Sequence, residues 1–293
     1  MHILITGGTG FIGSALIPQC IALGHQVTVL TRGGASGDSS VSYVTQLADL
    51  ATPVDAVINL AGASLAGKRW NDAYKQEIRD SRLKTTRDLG SYFAAQDQKP
   101  AVWLNASAIG YYGPRGDELV DESAPRGEGF SAELCVDWEA AAEECVPPGA
   151  RLCLMRLGVV LDREGGAYEQ IAQPFKFGVA NWIGKGTQWL SWIHRDDVVA
   201  AMLFLLEDDS QSGVFNLTAP EPVTSRGFAR AMRKVHTAPI EMPMPAFAMR
   251  LLVGEMADEL LLSGQRVVPA RLAQAGFTFQ YETIDSALAE IES

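Results

Sequence analysis

The stretch from Ile3 to Gly13, ILITGGTGFIG, constrains the fold most, because it joins a short apolar strand to a glycine-rich turn and a helix start. Glycines three residues apart allow a sharp turn, a close approach of backbone amides to a pyrophosphate, and tight packing of helix on strand. Exposed amides and the dipole at a helix N-terminus favour negative charge. We therefore predict a dinucleotide site, although a glycine-rich surface turn is the alternative. The predicted contacts are Gly7, Thr9, Gly10, Phe11, Ile12 and Gly13.

The second predicted strand, 26–30 (QVTVL), ends at Thr31 and Arg32. In an α/β fold of this kind, an acidic residue at that point binds the ribose 2′-hydroxyl of NAD, whereas an Arg accommodates the 2′-phosphate of NADP. Neither Asp nor Glu is present here, so the sequence favours NADP(H), with Thr31 and Arg32 as contacts. The alternative is that Arg32 is a solvated loop residue. A polar, flexible loop is predicted for residues 33–40, GGASGDSS.

Strand and helix patterns then alternate along the chain, which predicts an α/β fold with a Rossmann-type, doubly wound parallel sheet. Residues 1–165 and 195–220 are predicted to form the dinucleotide-binding domain. Residues 166–194 and 221–293 are predicted to form a smaller, mostly helical, C-terminal subdomain on the substrate side, in which a proline-rich stretch at 239–247 separates two parts. The further strands are predicted at 41–44, 55–60, 101–106, 152–157 and 214–217, and the helices at 11–23, 70–95, 131–144 and 198–207.

Composition excludes several classes of partner. The 293 residues carry a formal charge of −11, whereas a phosphate-backbone binder needs clustered Lys and Arg, so we expect no nucleic-acid partner. No apolar stretch approaches the roughly 20 residues of a membrane helix, and the chain starts with a strand rather than a leader, so we expect a cytoplasmic protein without a membrane partner. The four cysteines are scattered without metal-like spacing, which predicts reduced thiols and no metal site.

Further cofactor contacts are predicted where a strand runs into NLAG, because small residues at the carboxyl edge of a parallel sheet lie where ligands bind. These contacts are Asn59, Leu60, Ala61 and Gly62. A plain turn is an equally good interpretation. Arg82, on a long charged helix, adds positive charge near the same edge and is a further predicted contact, although most charges of that helix are expected to face solvent.

The motifs together resemble the extended short-chain dehydrogenase/reductase superfamily over nearly the whole chain. They are GGTGFIG at 7–13, NLAG at 59–62, YYG at 111–113 and WIHRDDVVAA at 192–201. Other stretches resemble an atypical epimerase-like branch, whose members are labelled nucleoside-diphosphate-sugar epimerase or cell-division-inhibitor-like: RWN at 69–71, SRLKTT at 81–86, DWEAAA at 137–142, RLGVVL at 156–161 and SGQRVVP at 263–269. The resemblance implies an NADP(H)-binding protein with a C-terminal substrate-side region.

The chain lacks catalytic residues that members of that family share. Family members use a Tyr-x-x-x-Lys pair on the helix after the fifth strand, but here Ser131 and Cys135 occupy the two positions. The usual Ser/Thr site holds Ala108, with Ser107 just before it. Since a Ser hydroxyl is a poor proton donor and a thiol supplies no fixed ammonium, other groups must act in any catalysis.

The catalytic candidates are Ser107, Tyr111 and Tyr112, with Ser107 also a cofactor contact. His194 is a further candidate, but it is expected to hold its loop by hydrogen bonds, with Asp196 and Asp197 capping the next helix. Aromatic residues crowd between 166 and 194, where they predict either a ligand cleft or a second core.

Two functions follow from these features. The first is an NADP(H)-dependent oxidoreductase or epimerase-like enzyme acting on a small polar substrate, of which a sugar- or nucleotide-linked molecule is one kind. The second is a non-catalytic NADP(H)-binding regulator or partner-binding protein, which has kept the dinucleotide turn and lost the Tyr and Lys pair. The sequence identifies neither the substrate nor an oligomeric state.

Overall fold

A computed structural model describes residues 1–33 and 40–293 of the chain. Most of the polar loop predicted at 33–40 therefore lies outside the described residues. The strands are β1 (His2–Thr6), β2 (Gln26–Leu30), β3 (Val41–Val44), β4 (Ala56–Asn59), β5 (Val102–Ala108), β6 (Leu119–Val120), β7 (Arg151–Leu157), β8 (Val159–Asp162), β9 (Gly165–Gly166), β10 (Val179–Ile183), β11 (Trp189–Leu190), β12 (Trp192–His194), β13 (Gly213–Leu217), β14 (Val223–Thr224), β15 (Ile240–Met244) and β16 (Arg266–Val267). The helices are α1 (Gly13–Ala22), α2 (Asp72–Ala94), α3 (Phe130–Cys145), α4 (Tyr168–Lys176), α5 (Arg195–Glu207), α6 (Ser225–Val235), α7 (Ala246–Val253), α8 (Ala270–Gln274) and α9 (Ile284–Ile291).

The central sheet has seven strands in the order β13-β7-β5-β4-β1-β2-β3, and every neighbouring pair is parallel. This confirms the predicted Rossmann-type α/β fold. The chain proceeds from β1 to β2 on one side and returns to β4 on the other, so the direction of winding reverses at β1. A crevice opens at the carboxyl ends of strands at such a reversal, which is where α/β folds bind ligands.

Both faces of the sheet are covered, as the continuous apolar runs of its strands require. Side chains of β1 alternate between the two faces. Ile3 and Ile5 pack in the cluster that includes residues of α1 and α5, whereas Leu4 packs on the opposite face with Leu89 and Phe93 of α2. Helices α1 and α5 therefore lie on one side of the sheet and α2 lies on the other.

A second core lies outside the sheet and contains side chains from α4, α6 and α9. Phe175 and Trp192 are buried in it, so for these two the second-core interpretation of the crowded aromatics is correct. Trp182 and Trp189 remain partly exposed, and Phe177 is 80% exposed. In the same region the proline-rich stretch at 239–247 contains β15, a strand that pairs in parallel with β10 and that the sequence did not predict.

Candidate cofactor and substrate site

The glycine-rich turn after β1 packs directly against the end of β4. Gly7 has φ +69°, and a Cβ on it would lie 2.6 Å from the carbonyl oxygen of Leu60. A Cβ on Gly13 would lie 2.5 Å from the carbonyl oxygen of Gly7. Both positions therefore require glycine, and the turn holds the start of α1 at the crevice between β1 and β4.

The outer side of this turn is free to receive an anion. A Cβ on Gly10 would contact only the Gly7 carbonyl oxygen, at 3.1 Å, and would otherwise point into open space. Within residues 1–33 and 40–293, the backbone amides of Phe11 and Ile12 donate to no acceptor, and no side chain caps α1. Unpaired amides at a helix N-terminus bind phosphate groups, so the turn fits the pyrophosphate of a dinucleotide.

Arg82 contributes a positive charge beside the turn, on the α2 side. Its guanidinium carbon lies 2.9 Å from a Cβ built on Gly62 and 5.2 Å from the ring centroid of Trp138. The side chain donates to the carbonyl oxygens of Ala63 and Ile78, and no carboxylate in the described part of the chain pairs with it. Burial lowers the pKa of this guanidinium from its ordinary value, because the charge is poorly hydrated. Arg82 is therefore a half-buried cation without an anionic partner among the described residues.

Asn59 does not have a free side chain, contrary to the contact predicted from NLAG. It is fully buried, its Oδ1 accepts from Thr6, and its Nδ2 donates to Thr86 and Asn105. Because both amide hydrogens are used, the side chain holds the ends of neighbouring strands instead of binding a ligand. Leu60 and Ala61 are backbone neighbours of Gly7, and Gly62 lies against the guanidinium of Arg82.

Thr31 and Arg32 follow β2 at the same edge of the sheet. The Arg32 side chain is exposed, and the described residues place no carboxylate against it. Its position at the end of the strand next to β1 is the one expected for a contact with the adenosine ribose.

Ser107 is the first catalytic candidate, and the structure does not support that role. It is 1% exposed, and its hydroxyl donates to Oε1 of Glu139 at 2.5 Å. Glu139 in turn accepts two hydrogen bonds from Arg156. The Ser107 hydroxyl thus lies within a buried polar network, and its contact with cofactor or substrate stays a prediction.

Tyr112 is the second candidate that the structure places out of reach. It is fully buried, its hydroxyl donates to Oδ1 of Asn216 at 2.7 Å, and it accepts from Arg156 at 3.0 Å. Burial raises the pKa of this phenol above its ordinary value, an effect that the Arg156 charge opposes. The Tyr112 side chain thus supports the turn after β5, and its catalytic role stays a prediction.

Tyr111 is the candidate that remains at the surface of the site. Its ring is half-buried and lies against the guanidinium of Arg156, with 3.3 Å between the ring centroid and Cζ. The ring also packs edge-on against Tyr112, with centroids 5.4 Å apart. The Tyr111 hydroxyl has no hydrogen-bond partner among the residues that the structure describes. The ring is thus held in place while its hydroxyl is free for a ligand.

Ser131 and Cys135, at the positions of the absent Tyr and Lys, both face the turn after β5. A Cβ on Gly110 would lie 3.2 Å from Cβ of Ser131 and 3.7 Å from Sγ of Cys135. The Ser131 hydroxyl oxygen is buried without a partner in the described structure. Burial raises the pKa of the Cys135 thiol to about 11, so it stays protonated and supplies no positive charge. The sequence placed Ser131 here but did not indicate that its hydroxyl would be unpaired.

The WIHRDD motif fastens the C-terminal segment to the sheet. His194, and not Asp196 or Asp197 as predicted, caps α5: its Nδ1 accepts from the Asp196 amide, and its Nε2 donates to Glu290. Asp197 accepts from the amides of Gln280 and Tyr281. His194 is 1% exposed, which confirms that it holds its loop by hydrogen bonds.

Neither a membrane-spanning helix nor a cluster of metal ligands occurs among the described residues. No helix there is both long and apolar enough to cross a membrane. No group of three or more His, Cys, Asp or Glu side chains there is arranged to hold a metal ion.

Comparison with known proteins gives matches along most of the chain. Residues 3–218 match the NAD dependent epimerase/dehydratase family, and residues 244–291 match a domain of unknown function, DUF1731. The epimerase family protein Mb2239 of Mycobacterium bovis is 40% identical over 290 residues, which are 98% of this chain and 96% of that protein.

Two solved structures are also similar. The human epimerase family protein SDR39U1 (isoform 2), crystallised with NADPH, is 34% identical with a TM-score of 0.90, over 100% of this chain and 99% of that one. The nucleoside-diphosphate sugar epimerase of Corynebacterium glutamicum is 30% identical with a TM-score of 0.79, over 100% of this chain and 58% of that one.

Proposed function

This chain belongs to the NAD dependent epimerase/dehydratase family, and we propose that it is an NADP(H)-dependent oxidoreductase or epimerase-like enzyme of the extended short-chain dehydrogenase/reductase type. The observation that carries the proposal is the pair of unpartnered amides at Phe11 and Ile12, at the crevice where the sheet reverses direction. The Arg82 cation beside that crevice supports it, because both features favour a bound phosphate. The similar human protein was crystallised with NADPH.

The preference for the phosphorylated cofactor rests on Arg32. Its exposed guanidinium follows β2, and no acidic residue stands at that strand end to bind a ribose 2′-hydroxyl. A guanidinium pairs well with the 2′-phosphate of NADP(H), because it presents a planar set of donors.

The chain's own part in the reaction is to bind and orient. A bound nicotinamide dinucleotide supplies hydride transfer. Tyr111, whose ring is held by Arg156, offers a free hydroxyl for hydrogen bonding to a substrate oxygen. The Ser131 hydroxyl on α3 also has an unused hydrogen bond, but its oxygen is buried, so a substrate could accept that bond only after neighbouring side chains move. Tyr111 is one of the three predicted catalytic candidates, whereas Ser131 is not among them.

The substrate of this proposal is a small polar molecule, and a sugar- or nucleotide-linked one is favoured because the similar protein of Corynebacterium glutamicum is described as a nucleoside-diphosphate sugar epimerase. Residues 166–194 and 221–293 are assigned to the substrate side. Their loops approach the turn that carries Tyr111, since Gln265 Nε2 donates to the carbonyl oxygen of Ile109.

Calorimetric titration with NADPH tests the cofactor assignment. The native protein should bind NADPH, and Gly10→Asp should abolish binding while the protein stays folded, because a carboxylate would then stand in the phosphate position. Gly24→Asp adds the same charge at the other end of α1, where a Cβ meets no neighbour, although φ +79° there adds some strain. It should still bind NADPH. Native protein that binds neither NADPH nor NADH would overturn the assignment.

A second candidate function is favoured by the same geometry: a protein that binds NADP(H) without turnover and responds to it through a partner. The observation behind it is that Ser131 and Cys135 replace the Tyr and Lys pair while Ser107 and Tyr112 are buried. A screen of carbonyl compounds and sugar nucleotides decides between the two. NADPH consumption that falls in Tyr111→Phe and Ser131→Ala supports the enzyme; NADPH binding without turnover, together with NADPH-dependent capture of a partner, supports the regulator.

A further inference from the structure

Helix α7 is almost entirely apolar, yet none of its residues is buried. In its sequence, AFAMRLLV, only Arg250 is charged. Phe247 and Leu251 lie one turn apart on the same face and are each 72% exposed, and Leu252 is 65% exposed. Helices of folded proteins ordinarily bury such an apolar stripe. The described part of the chain therefore leaves the apolar face of α7 uncovered.

Strand β15, which precedes α7, adds to this surface. One face of the β10–β15 sheet packs on the second core through Ala180 and Trp182 of β10. Side chains alternate along a strand, so Ile240 and Met242, which pair with positions 179 and 181, lie on the other face. They are 55% and 50% exposed. We name as the apolar patch the set of Ile240, Met242, Phe247, Leu251 and Leu252.

The patch concentrates the exposed apolar residues of the protein. Among the residues that the structure describes, nine large apolar side chains are exposed, and five of the nine form the patch. Exposed apolar residues that are scattered singly need no explanation, whereas a contiguous group marks an interaction surface. The members of the patch lie within thirteen consecutive residues, 240–252, so they belong to one region of the surface.

Polar contacts hold α7 in place, so the patch is a fixed surface. Arg69 donates to the carbonyl oxygen of Leu251 at 3.1 Å, and Arg250 forms an ion pair with Asp258 at 2.8 Å. Gly254, with φ +68°, ends the helix, and a Cβ there would lie 2.9 Å from Nε of Arg69. A surface that is already ordered loses less conformational entropy when a partner covers it.

The outer edge of β15 is unsuited to pairing with a strand of another molecule. The amide of Ile240 donates to the carbonyl oxygen of Gly178, on the β10 side. Backbone groups alternate in direction along a strand, so those of Glu241 and Pro243 point away from β10. Pro243 has no amide hydrogen, and proline on an edge strand blocks edge-to-edge pairing. A partner must therefore contact the patch through side chains.

Charge around the patch is balanced, although the whole chain carries a formal charge of −11. Residues 240–253 contain one acidic and one basic side chain, Glu241 and Arg250, which form ion pairs with Arg233 and Asp258. Copies of an acidic protein repel one another, so they meet most favourably where the surface is neutral and apolar. A lipid surface fits less well, because helices that bind membranes carry Lys and Arg around the apolar face.

The size of the patch suits an interface between two copies. Its five side chains each expose on the order of 100 Å², so together they offer on the order of 500 Å² of apolar surface. A standard interface covers about 800 Å² on each partner, of which roughly 450–520 Å² is apolar. An apolar surface is complementary to a copy of itself, and a two-fold axis brings the same surface of both copies together.

We infer that two copies of this chain associate through the apolar patch, with α7 of one copy packed against α7 of the other. Burial of the Phe247 and Leu251 side chains supplies the favourable free energy. The patch contains none of the residues assigned to cofactor or substrate. The inference therefore does not rest on the proposed function, and it assigns to the C-terminal region a role in assembly.

Sedimentation velocity of the full chain over a range of concentrations tests the association. The native protein should form a dimer. Leu251→Glu and Phe247→Glu should each raise the dimer dissociation constant about tenfold or more, because each places a carboxylate at two equivalent positions of an apolar interface. Leu23→Glu is the matched control, since Leu23 is 52% exposed at the end of α1, and it should dimerise as the native protein does.

Hydrogen exchange locates the contact. The amides of residues 246–253 should exchange more slowly in concentrated than in dilute native protein, and this difference should disappear in Leu251→Glu. Native protein that is monomeric at every concentration would overturn the inference. A dimer that Leu23→Glu weakens equally, or that neither α7 substitution weakens, would overturn it as well, because the copies would then meet through another surface.

Titration with NADPH separates this inference from the cofactor assignment. Leu251→Glu and Phe247→Glu should bind NADPH as the native protein does. A monomeric native protein whose NADPH affinity falls in Leu251→Glu would show that α7 covers a ligand instead of a second copy. Native protein that dimerises through the patch but binds neither NADPH nor NADH would support the inference and remove the cofactor assignment.

Discussion

Arg156 of β7 and Glu139 of α3 form a buried two-point ion pair, with Nε–Oε1 at 2.8 Å and Nη2–Oε2 at 2.7 Å. Their side chains are 4% and 8% exposed. The same two residues bind the hydroxyls of Ser107 and Tyr112. The pair therefore ties the end of the sheet to the helix beside the site, and it holds two hydroxyls that would otherwise be available to a ligand.

Removing one partner of this ion pair should destabilise the protein strongly. We expect Glu139→Ala to lower the free energy of unfolding by about 3–5 kcal/mol, because Arg156 would remain buried without its counter-charge. Urea denaturation measures this. Glu143→Ala, at an exposed position of the same helix, is the control and should change stability by less than about 0.5 kcal/mol. Equal effects of the two substitutions would contradict the importance of the buried pair.

Loss of the Tyr112 hydroxyl should lower stability, whereas loss of the Tyr111 hydroxyl should lower turnover. Tyr112→Phe should lower the free energy of unfolding by about 1–3 kcal/mol, because Asn216 and Arg156 each lose a buried hydrogen-bond partner. Tyr111→Phe should leave stability nearly unchanged and reduce turnover. Thermal melting and steady-state kinetics of both variants check this. A stable Tyr112→Phe protein with lost activity would return Tyr112 to the catalytic role.

Cofactor preference should depend on Arg32. The native protein should bind NADPH more tightly than NADH, and Arg32→Asp should weaken NADPH binding by about tenfold or more, because a charge-assisted contact becomes a repulsion. NADH affinity should hold or improve, since an acidic side chain can accept from the ribose 2′-hydroxyl. Arg230→Asp, which makes the same charge change on α6, should leave both affinities unchanged. Equal affinities of the native protein for the two cofactors would refute the argument from Arg32.

The stability of the protein should also depend on pH through the Glu122 carboxyl. Burial raises the pKa of this carboxyl above its ordinary value of 4.5, and hydrogen bonds from the amides of Asn216 and Arg271 only partly offset that. The folded state therefore binds this proton more tightly than the unfolded chain, which adds to the free energy of unfolding while the carboxyl is protonated. This added stability is present below about pH 4.5 and is lost as pH rises through the raised pKa.

The free energy of unfolding of native protein and of Glu122→Gln should be measured at a series of pH values from about 4.5 to above the raised pKa. The variant should lose less stability with rising pH than the native protein. Glu118→Gln, at an exposed position, should follow the native curve. Parallel curves for native protein and Glu122→Gln would show that the carboxyl does not titrate in the way its burial indicates.

The sequence predicted the central strand, the glycine turn and the first helix correctly, because residue type and spacing along the chain determine these elements. The continuous apolar run of β1 and the glycines after it predicted a central parallel strand, a turn and a helix, all of which are present. Strand β15 was not predicted, because the prolines of PIEMPMPAF suggested a break. Within the described residues the strand pairs with β10 alone, and an edge strand tolerates the single proline it contains, Pro243.

By itself, the sequence determined the fold class, the glycine turn, the Arg at the end of β2 and the absence of a Tyr-x-x-x-Lys pair from α3, since each depends on residue type and spacing along the chain. Only the tertiary structure decided which hydroxyls are free. Ser107 and Tyr112 stand beside Tyr111 in the chain, yet Glu139, Arg156 and Asn216 bind the first two from elements distant in sequence. Long-range packing sets burial and hydrogen-bond partners, so it alone decides which of these side chains a ligand can reach.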